Sequence, residues 1–202
     1  MKSSKIILAS NSPRRKELLS KIIPEDKFIT IGSNIREKIL RGEDAEKYCL
    51  RIAEAKARNV IKRYKNRISG VQVVIGADTI ISLNNEIIGQ PKDKADAQII
   101  LKKLSGKCHE VLTGVAIVLV NQECTIRFCV RSKVWLKRLS KKAIMDYVES
   151  SEPMDKAGAY AIQGIGKKLV KKFNGSYTNI IGLPVQELRA ALSSILGVRL
   201  IP

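Results

Sequence analysis

Aromatic residues are scarce in this sequence of 202 residues: they make up 4% of it, as one Trp, five Tyr and three Phe. Proteins that bind single-stranded nucleic acid without sequence preference stack the bases on aromatic side chains. The scarcity counts against that class and predicts a core built from aliphatic side chains. Histidine is limited to His109, so a Ser–His–Asp triad would have to use this residue, and nothing specifies its partners.

Cysteine spacing indicates neither a zinc site nor a disulfide framework. The cysteines are Cys49, Cys108, Cys124 and Cys129, and no two of them form a C-x-x-C pair. A chain of this size does not need disulfides, so we predict free thiols in a reducing compartment. The apolar run at residues 6–9 is too short for a signal peptide or a membrane span. We therefore expect a cytoplasmic protein with no membrane contact.

Basic residues outnumber acidic ones, with 37 Lys and Arg against 19 Asp and Glu, which gives a net charge of +18. Three interpretations are open: a solvated basic surface, a small substrate that carries phosphate, and nucleic acid. The basic residues run from end to end without a separate tail, which disfavours a nucleic-acid-binding arm. No repeat or low-complexity linker divides the chain, whose length fits one large domain or two small ones.

Apolar runs typical of strands alternate with amphipathic runs typical of helices. Predicted helices span residues 12–22, 44–64, 94–105, 140–150 and 184–196. Predicted strands span residues 5–9, 27–31, 71–75, 79–83, 86–88, 109–120, 125–139, 167–173 and 177–181. A hairpin is expected around Asn121-Gln122. The mixture of hairpins and helices predicts an α/β protein with a mixed sheet.

The segment Ser10-Asn11-Ser12-Pro13-Arg14-Arg15 lies between a predicted strand and the start of a predicted helix. A helix N-terminus carries positive partial charge and unpaired N–H groups, so two arginines in the first turn oppose it. A bound anion would remove this conflict, because the N–H groups and both guanidinium groups could hold it. The alternative is two solvated arginines at the surface.

Lys56 and Asp78 are charged residues at positions where apolar side chains are expected. Lys56 lies in the apolar stripe of the long helix at 44–64 and either extends to the edge of the core or meets a buried anion. Gly76-Ala77-Asp78-Thr79 separates two apolar runs. A carboxylate in a buried sheet is costly unless it binds a metal, a base or water, whereas an exposed turn at a sheet edge is the alternative.

Together, several segments resemble those of the Maf family of nucleoside triphosphate pyrophosphatases. They occur in the order of the family and cover nearly the whole chain: Leu8-Ala9-Ser10-Asn11-Ser12-Pro13-Arg14-Arg15, Lys56-Ala57, Ile75-Gly76-Ala77-Asp78-Thr79, Leu104-Ser105-Gly106 with His109 and Thr113-Gly114, Glu152-Pro153 through Gly164, and Asn174-Gly175-Ser176-Tyr177 with Gly182-Leu183-Pro184. The resemblance implies a single domain over residues 1–202, with an elongated mixed sheet flanked by helices in two lobes around a central cleft. This fold is similar to that of inosine triphosphate pyrophosphatases.

The resemblance also implies hydrolysis of a nucleoside triphosphate to the monophosphate and pyrophosphate with a divalent metal cation, Mg²⁺ or Mn²⁺. The partner is then a small molecule, with no stable nucleic-acid complex, and a homodimer is a further implication. Asp78 is implied to be the general base, and Glu37 and Asp78 are implied to hold the metal. The residues implied to bind the substrate are Ser10, Arg14, Arg15, Lys56 and Gln163.

Arg14, Thr79 and Gln163 match the positions that separate the subfamilies. Their pattern resembles the subfamily that acts on dTTP and UTP rather than the one that prefers 7-methyl-GTP. Gln90 departs from the family, which usually has lysine there, and Ala161 stands at a usual glycine. The missing lysine keeps open a catalytically weakened member of the family that acts in cell-division control. The net charge of +18 keeps open a basic nucleic-acid-associated protein.

Overall fold

The computed structural model describes residues 6–65, 70–120, 122 and 124–196, and one seven-stranded sheet runs through them. The strands are β1 (Ile6–Leu8), β2 (Phe28–Thr30), β3 (Val73–Leu83), β4 (Glu86–Ile88), β5 (Cys108–Leu119), β6 (Thr125–Leu136) and β7 (Val170–Asn174). The helices are α1 (Pro13–Ser20), α2 (Ala45–Tyr64), α3 (Lys94–Leu104), α4 (Lys141–Glu149), α5 (Tyr177–Ile181) and α6 (Val185–Leu196). Short 3₁₀ helices lie at Glu25–Lys27, Glu152–Asp155, Ala157–Ala159 and Gly164–Leu169.

The sheet has the strand order β2-β1-β3-β5-β6-β7, and β4 pairs with β3. Strand β1 is parallel to both β2 and β3, whereas all other pairs are antiparallel. The prediction of an α/β protein with a mixed sheet is therefore confirmed. The predicted β5–β6 hairpin is present, although Asn121 in its turn lies outside the described residues.

Helix starts follow the capping residues in the sequence. Ser12, Asp44 and Ser140 each accept a hydrogen bond from the backbone N–H three residues later, at 3.4, 2.8 and 3.2 Å. Pro13 occupies the first turn of α1, where its missing N–H costs nothing. These caps fix where α1, α2 and α4 begin.

The predicted strand at 177–181 and the predicted break in β3 are both wrong. Tyr177–Ile181 forms α5, because the hydroxyl of Ser176 caps it by accepting a bond from Asn179 N at 3.2 Å. Strand β3 runs without interruption through residues 76–78. The predicted strand at 167–173 starts only at Val170, after a 3₁₀ helix.

Alternate residues of β3 face two different helical layers. Val73 and Ile75 pack on the side of α1 and α6, whereas Val74 packs on the side of α2. A further apolar cluster joins α3 and α4 to the far end of the sheet. The four cysteines are free thiols. Among the helices of the described residues, none combines the length and apolar character needed to cross a membrane.

Candidate active site

One edge of β3 has a gap between two partner strands. Strand β1 pairs with Val73, Val74 and Ile75, and β4 pairs with Ile81, Ser82 and Leu83. Both lie on the same edge, because β5 occupies the other edge from Val73 to Ser82. No strand of the described chain pairs with residues 76–80 on the β1 side. Asp78 and Thr79 therefore lie at an opening in the sheet.

Helix α2 packs closely against β3 and β5 because both strands have glycine at the contact. A Cβ atom at Gly76 would lie 2.0 Å from the carbonyl oxygen of Ala53, and one at Gly114 would lie 2.5 Å from the carbonyl carbon of Cys49. Gly114 is also the register partner of Asp78 on β5. The absence of side chains at both glycines lets the α2 backbone approach, and this brings Lys56 to Asp78.

Lys56 bridges two carboxylates. Its ammonium nitrogen lies 2.7 Å from Asp78 Oδ1 and 2.7 Å from Glu37 Oε1. Lys56 and Asp78 are 8% and 4% exposed, so this part of the contact is shielded from water. Of the two interpretations of Lys56 that the sequence left open, the buried anion is the one that the structure supports.

Asp78 has one carboxylate oxygen engaged and one without a partner. Oδ1 accepts the Lys56 bond, whereas Oδ2 is buried and has no hydrogen-bond partner among the described residues. Burial raises the pKa of Asp78, and the positive charges of Lys56 and Arg15 oppose this shift. An unpartnered buried carboxylate oxygen with a raised pKa is suited to accept a proton.

Arg15 turns inward from the first turn of α1. Its Nε donates to the carbonyl oxygen of Gly182 at 2.9 Å, and its Nη2 donates to Thr79 Oγ1 at 3.0 Å. Thr79 in turn contacts Thr113, whose hydroxyl donates to the carbonyl oxygen of Asn179 at 3.0 Å. Burial lowers the pKa of Arg15, and the charges of Asp78 and Glu37 oppose the change. The arginine is thus held rigidly, and its Nη1 makes no hydrogen bond within the described chain.

Arg14 reaches in another direction and joins two walls of the opening. Its Nη1 and Nη2 donate to Oδ2 and the carbonyl oxygen of Asp155 at 3.1 and 3.3 Å. The same carbonyl accepts a bond from Gln90 Nε2 at 3.3 Å. Gln90 thus lies at the exposed rim of the cavity, where it contacts the same residue as Arg14.

The segment that carries Gln163 is fixed by side chains from outside it. The Glu152 carboxylate accepts bonds from Ile165 N and Gly166 N at 3.1 and 2.8 Å. Ala161 N donates to the hydroxyl of Tyr147 at 3.1 Å. These bonds hold the backbone on both sides of Gln163, so its side chain projects from a fixed position.

These groups enclose one cavity of about 790 Å³. This volume falls in the range of about 300–1,000 Å³ that is typical of small-molecule sites. The polar and charged residues that line it include Ser10, Asn11, Ser12, Arg14, Arg15, Glu37, Tyr48, Lys56, Asp78, Thr79, Gln90, Lys92, Asp155, Lys156, Tyr160 and Gln163. The cavity therefore combines basic groups with a buried carboxylate.

The sequence model of the family described as Maf-like protein matches residues 5–195. The chain belongs to the Maf family. Curated relatives named dTTP/UTP pyrophosphatase come from Geobacter sp. (strain M21), with 45% identity over 96% of this chain and 97% of that protein, and from Geotalea uraniireducens (strain Rf4), with 46% identity over 94% of both. A third, from Thermoanaerobacter sp. (strain X514), is 40% identical over 98% of this chain and all of that protein.

The Staphylococcus aureus Ham1 protein has a similar structure, with a TM-score of 0.54 and 18% identity over 94% of this chain and 98% of that chain. At this identity the likeness shows a shared fold. This likeness and the mixed sheet together confirm the α/β fold that the family resemblance implied.

All the residues that the resemblance singled out line the same cavity: Ser10, Arg14, Arg15, Glu37, Lys56, Asp78, Thr79 and Gln163. Arg15 differs from the expectation of an open phosphate ligand, since two of its donor nitrogens already bind protein groups. Asp78 is in a strand rather than in an exposed turn.

The sequence did not predict the contacts of Asp155, which lines the cavity, or those of Asn179, whose carbonyl oxygen accepts the bond from Thr113. Asp155 holds Arg14, and Asn179 is fully buried and donates to Val111 O and Ser132 Oγ at 3.1 and 2.9 Å. The spacing of Ser176 and Asn179 is that of a helix cap, and this signal could have identified α5 and placed Asn179 in it.

Glu37 and Asp78 could hold a divalent cation. No cluster of three or more His, Cys, Asp or Glu side chains suited to a metal occurs in the described ranges. Mg²⁺, however, is usually bound by one or two carboxylates together with water and substrate phosphates. The Asp78 and Glu37 carboxylates, which lie 2.7 Å from the same Lys56 nitrogen, supply oxygen ligands of that kind. The residues present therefore fit the metal that the family implies.

Proposed function

We propose that this chain hydrolyses nucleoside triphosphates, with dTTP and UTP as substrates, to the monophosphate and pyrophosphate. Membership of the Maf family and the names of relatives at 40–46% identity support this activity. The observation that carries the proposal is the buried, unpartnered Asp78 Oδ2 in a cavity that also contains Arg14, Arg15 and Lys56.

Asp78 acts as the general base in this proposal. Its Oδ2 accepts a proton from a water molecule, whose oxygen attacks the α-phosphorus while pyrophosphate leaves. Lys56 holds Oδ1, so the carboxylate cannot rotate freely and Oδ2 keeps its direction. Burial disfavours the charged form of Asp78, which makes it a stronger acceptor than a solvated carboxylate.

The basic residues of the cavity bind the polyphosphate. Arg14 and Arg15 lie in the first turn of α1, whose N-terminus attracts anions. Ser10 Oγ accepts a bond from Ser12 N at 3.1 Å, so its hydroxyl proton is free to be donated to a phosphate oxygen. Lys56 adds a buried positive charge. Phosphate binding also explains why two arginines stand at a helix N-terminus.

Substrate choice is assigned to Arg14, Thr79 and Gln163, which line the same cavity. Gln163 offers an amide that can donate and accept hydrogen bonds at a base edge. Thr79 fixes the position of Arg15, and Arg14 bridges to Asp155 on the opposite wall. These contacts set the width of the cavity around the base and sugar.

Glu37 and Asp78 would hold the divalent cation, Mg²⁺ or Mn²⁺. When bound, the cation would neutralise negative charge on the phosphate oxygens. We also propose that residues 1–202 act as one cytoplasmic domain on a small-molecule nucleotide rather than on nucleic acid, and that the chain forms a homodimer as the family implies.

Pyrophosphate release from a panel of nucleoside triphosphates with Mg²⁺ or Mn²⁺ tests the proposal. We expect turnover of dTTP and UTP, and a fall of at least about 10²-fold in Asp78→Asn, because a positioned base contributes that much. Asp146→Asn is the matched control, since this carboxylate lies on the surface of α4 and pairs with Lys142. Wild-type turnover by folded Asp78→Asn would refute the role of Asp78, and no turnover of any nucleotide would refute the activity.

A further inference from the structure

The ammonium group of Lys56 lies where a cation would be attracted by both carboxylates. Asp78 Oδ1 and Glu37 Oε1 are each 2.7 Å from Nζ, so both carboxylates share one positive charge supplied by the chain itself. A lysine ammonium has three N–H donors; one donates to Asp78 Oδ1, and at least one of the others remains for a further acceptor beside the ion pair with Glu37.

Four charges at this point of the cavity balance without any added ion. When ionised, the buried Asp78 and the partly exposed Glu37 carry two negative charges, and Lys56 and Arg15 carry two positive charges. Lys56 and Asp78 are held next to each other because α2 is packed against the β3 backbone at Gly76. A divalent cation at the same carboxylates would leave excess positive charge next to the Lys56 ammonium, and water screens this charge poorly on the buried side of the cluster, at Asp78.

A polyphosphate supplies the negative charge that this arrangement needs. Its oxygens can accept the free N–H of Lys56 and can also share the cation. We propose that Lys56 acts as an internal counter-ion that blocks divalent cation binding at Asp78 and Glu37 until polyphosphate is bound. The identity of the polyphosphate rests on the proposed function. Metal and nucleotide binding are then coupled, and Lys56 is the residue that couples them.

Direct Mn²⁺ binding in the absence of nucleotide tests the coupling without measuring turnover. Electron paramagnetic resonance of free Mn²⁺ gives the affinity at pH 8 for the wild type, Lys56→Met and Lys92→Met. Lys92 also lines the cavity, but it contacts neither carboxylate. We expect at least about tenfold tighter binding by Lys56→Met and no change in Lys92→Met, because only the first removes a like charge at the ligands. Adding Asp78→Asn to Lys56→Met should abolish the gain.

Equal Mn²⁺ affinity of the wild type and Lys56→Met would overturn the proposal, and so would an equal gain in Lys92→Met. Circular dichroism reports whether each variant folds, and Lys56→Gln replaces Lys56→Met if the latter does not.

A second measurement compares the wild type with Lys56→Met by water-proton relaxation due to Mn²⁺, with and without α,β-imido-UTP. Enhancement that needs the analogue in the wild type but not in Lys56→Met supports the coupling, whereas equal enhancement of the wild type without the analogue contradicts the proposal. Failure of the pyrophosphate assay would leave the comparison of Mn²⁺ affinities in the free protein valid.

Discussion

Replacement of Gly76 by alanine tests whether the close packing of α2 on β3 sets the geometry of the site. A Cβ atom there would lie 2.0 Å from the carbonyl oxygen of Ala53, whereas real Cβ contacts essentially never fall below 3.0 Å. The helix and the strand must therefore separate by at least about 1 Å, since no side-chain rotation relieves a contact with backbone. The bond between Lys56 and Asp78 joins these two elements at 2.7 Å and is stretched by the same movement.

We expect Gly76→Ala to lose about 1–3 kcal/mol of unfolding free energy, which is the usual cost of overpacking a core. Turnover should fall by about 10²-fold, because a displacement of about 1 Å at a catalytic group costs this much. Urea unfolding gives the first quantity. Pyrophosphate release from UTP, measured where the variant is fully folded, gives the second.

Gly89→Ala is the control for stability. Gly89 also lines the cavity, but no atom lies within 4 Å of the position that its Cβ would take. Its unfolding free energy should stay within about 0.5 kcal/mol of the wild type. The reasoning fails if Gly76→Ala unfolds at the same urea concentration as Gly89→Ala and hydrolyses UTP at the wild-type rate.

Two further predictions concern protonation. Burial raises the pKa of Asp78, and the general base must be ionised to act, so turnover should fall as the pH is lowered through that raised pKa. A turnover rate that stays constant down to the pKa of an ordinary aspartate would contradict this prediction. Burial lowers the pKa of His109 to about 4, and its Nε2 lies 2.7 Å from the hydroxyl of Tyr160. The ring-proton resonances of this single histidine should therefore stay constant between pH 8 and 5 in an NMR titration, and a midpoint near 6.5 would show that the ring is solvated.

The fold could be predicted where the signal was local. Ser12 and Asp44 cap their helices as their positions predict, because a cap needs only the next few residues. The break predicted in β3 failed for a different reason. Gly76 was interpreted as a turn residue, but it serves contact with a helix, and that contact depends on residues about twenty positions away in α2. The strand predicted at 177–181 failed because its β-branched composition outweighed the short cap signal of Ser176.

The site was predictable as a set of residues but not as a set of contacts. Lys56 was recognisable as a charge in an apolar stripe, and the family resemblance placed Asp78 with it. That Lys56 bonds both Asp78 and Glu37 depends on how closely α2 approaches the sheet, and no spacing in the sequence carries that distance. The inward direction of the Arg15 side chain likewise depends on the backbone carbonyl oxygen of Gly182. Every residue has such a carbonyl, so the sequence does not show which one accepts the bond.

The interrupted edge of β3 also has a mechanical consequence. At residues 76–80 the only neighbouring strand is β5, so in the described chain the ladder on the other side is missing at this point. A molecule that fills the opening would lie beside residues 76–80 of β3, between the part of β3 that pairs with β1 and the part that pairs with β4. Amide hydrogens of the central strand should therefore exchange more slowly when the cavity is filled, even where they do not touch the ligand.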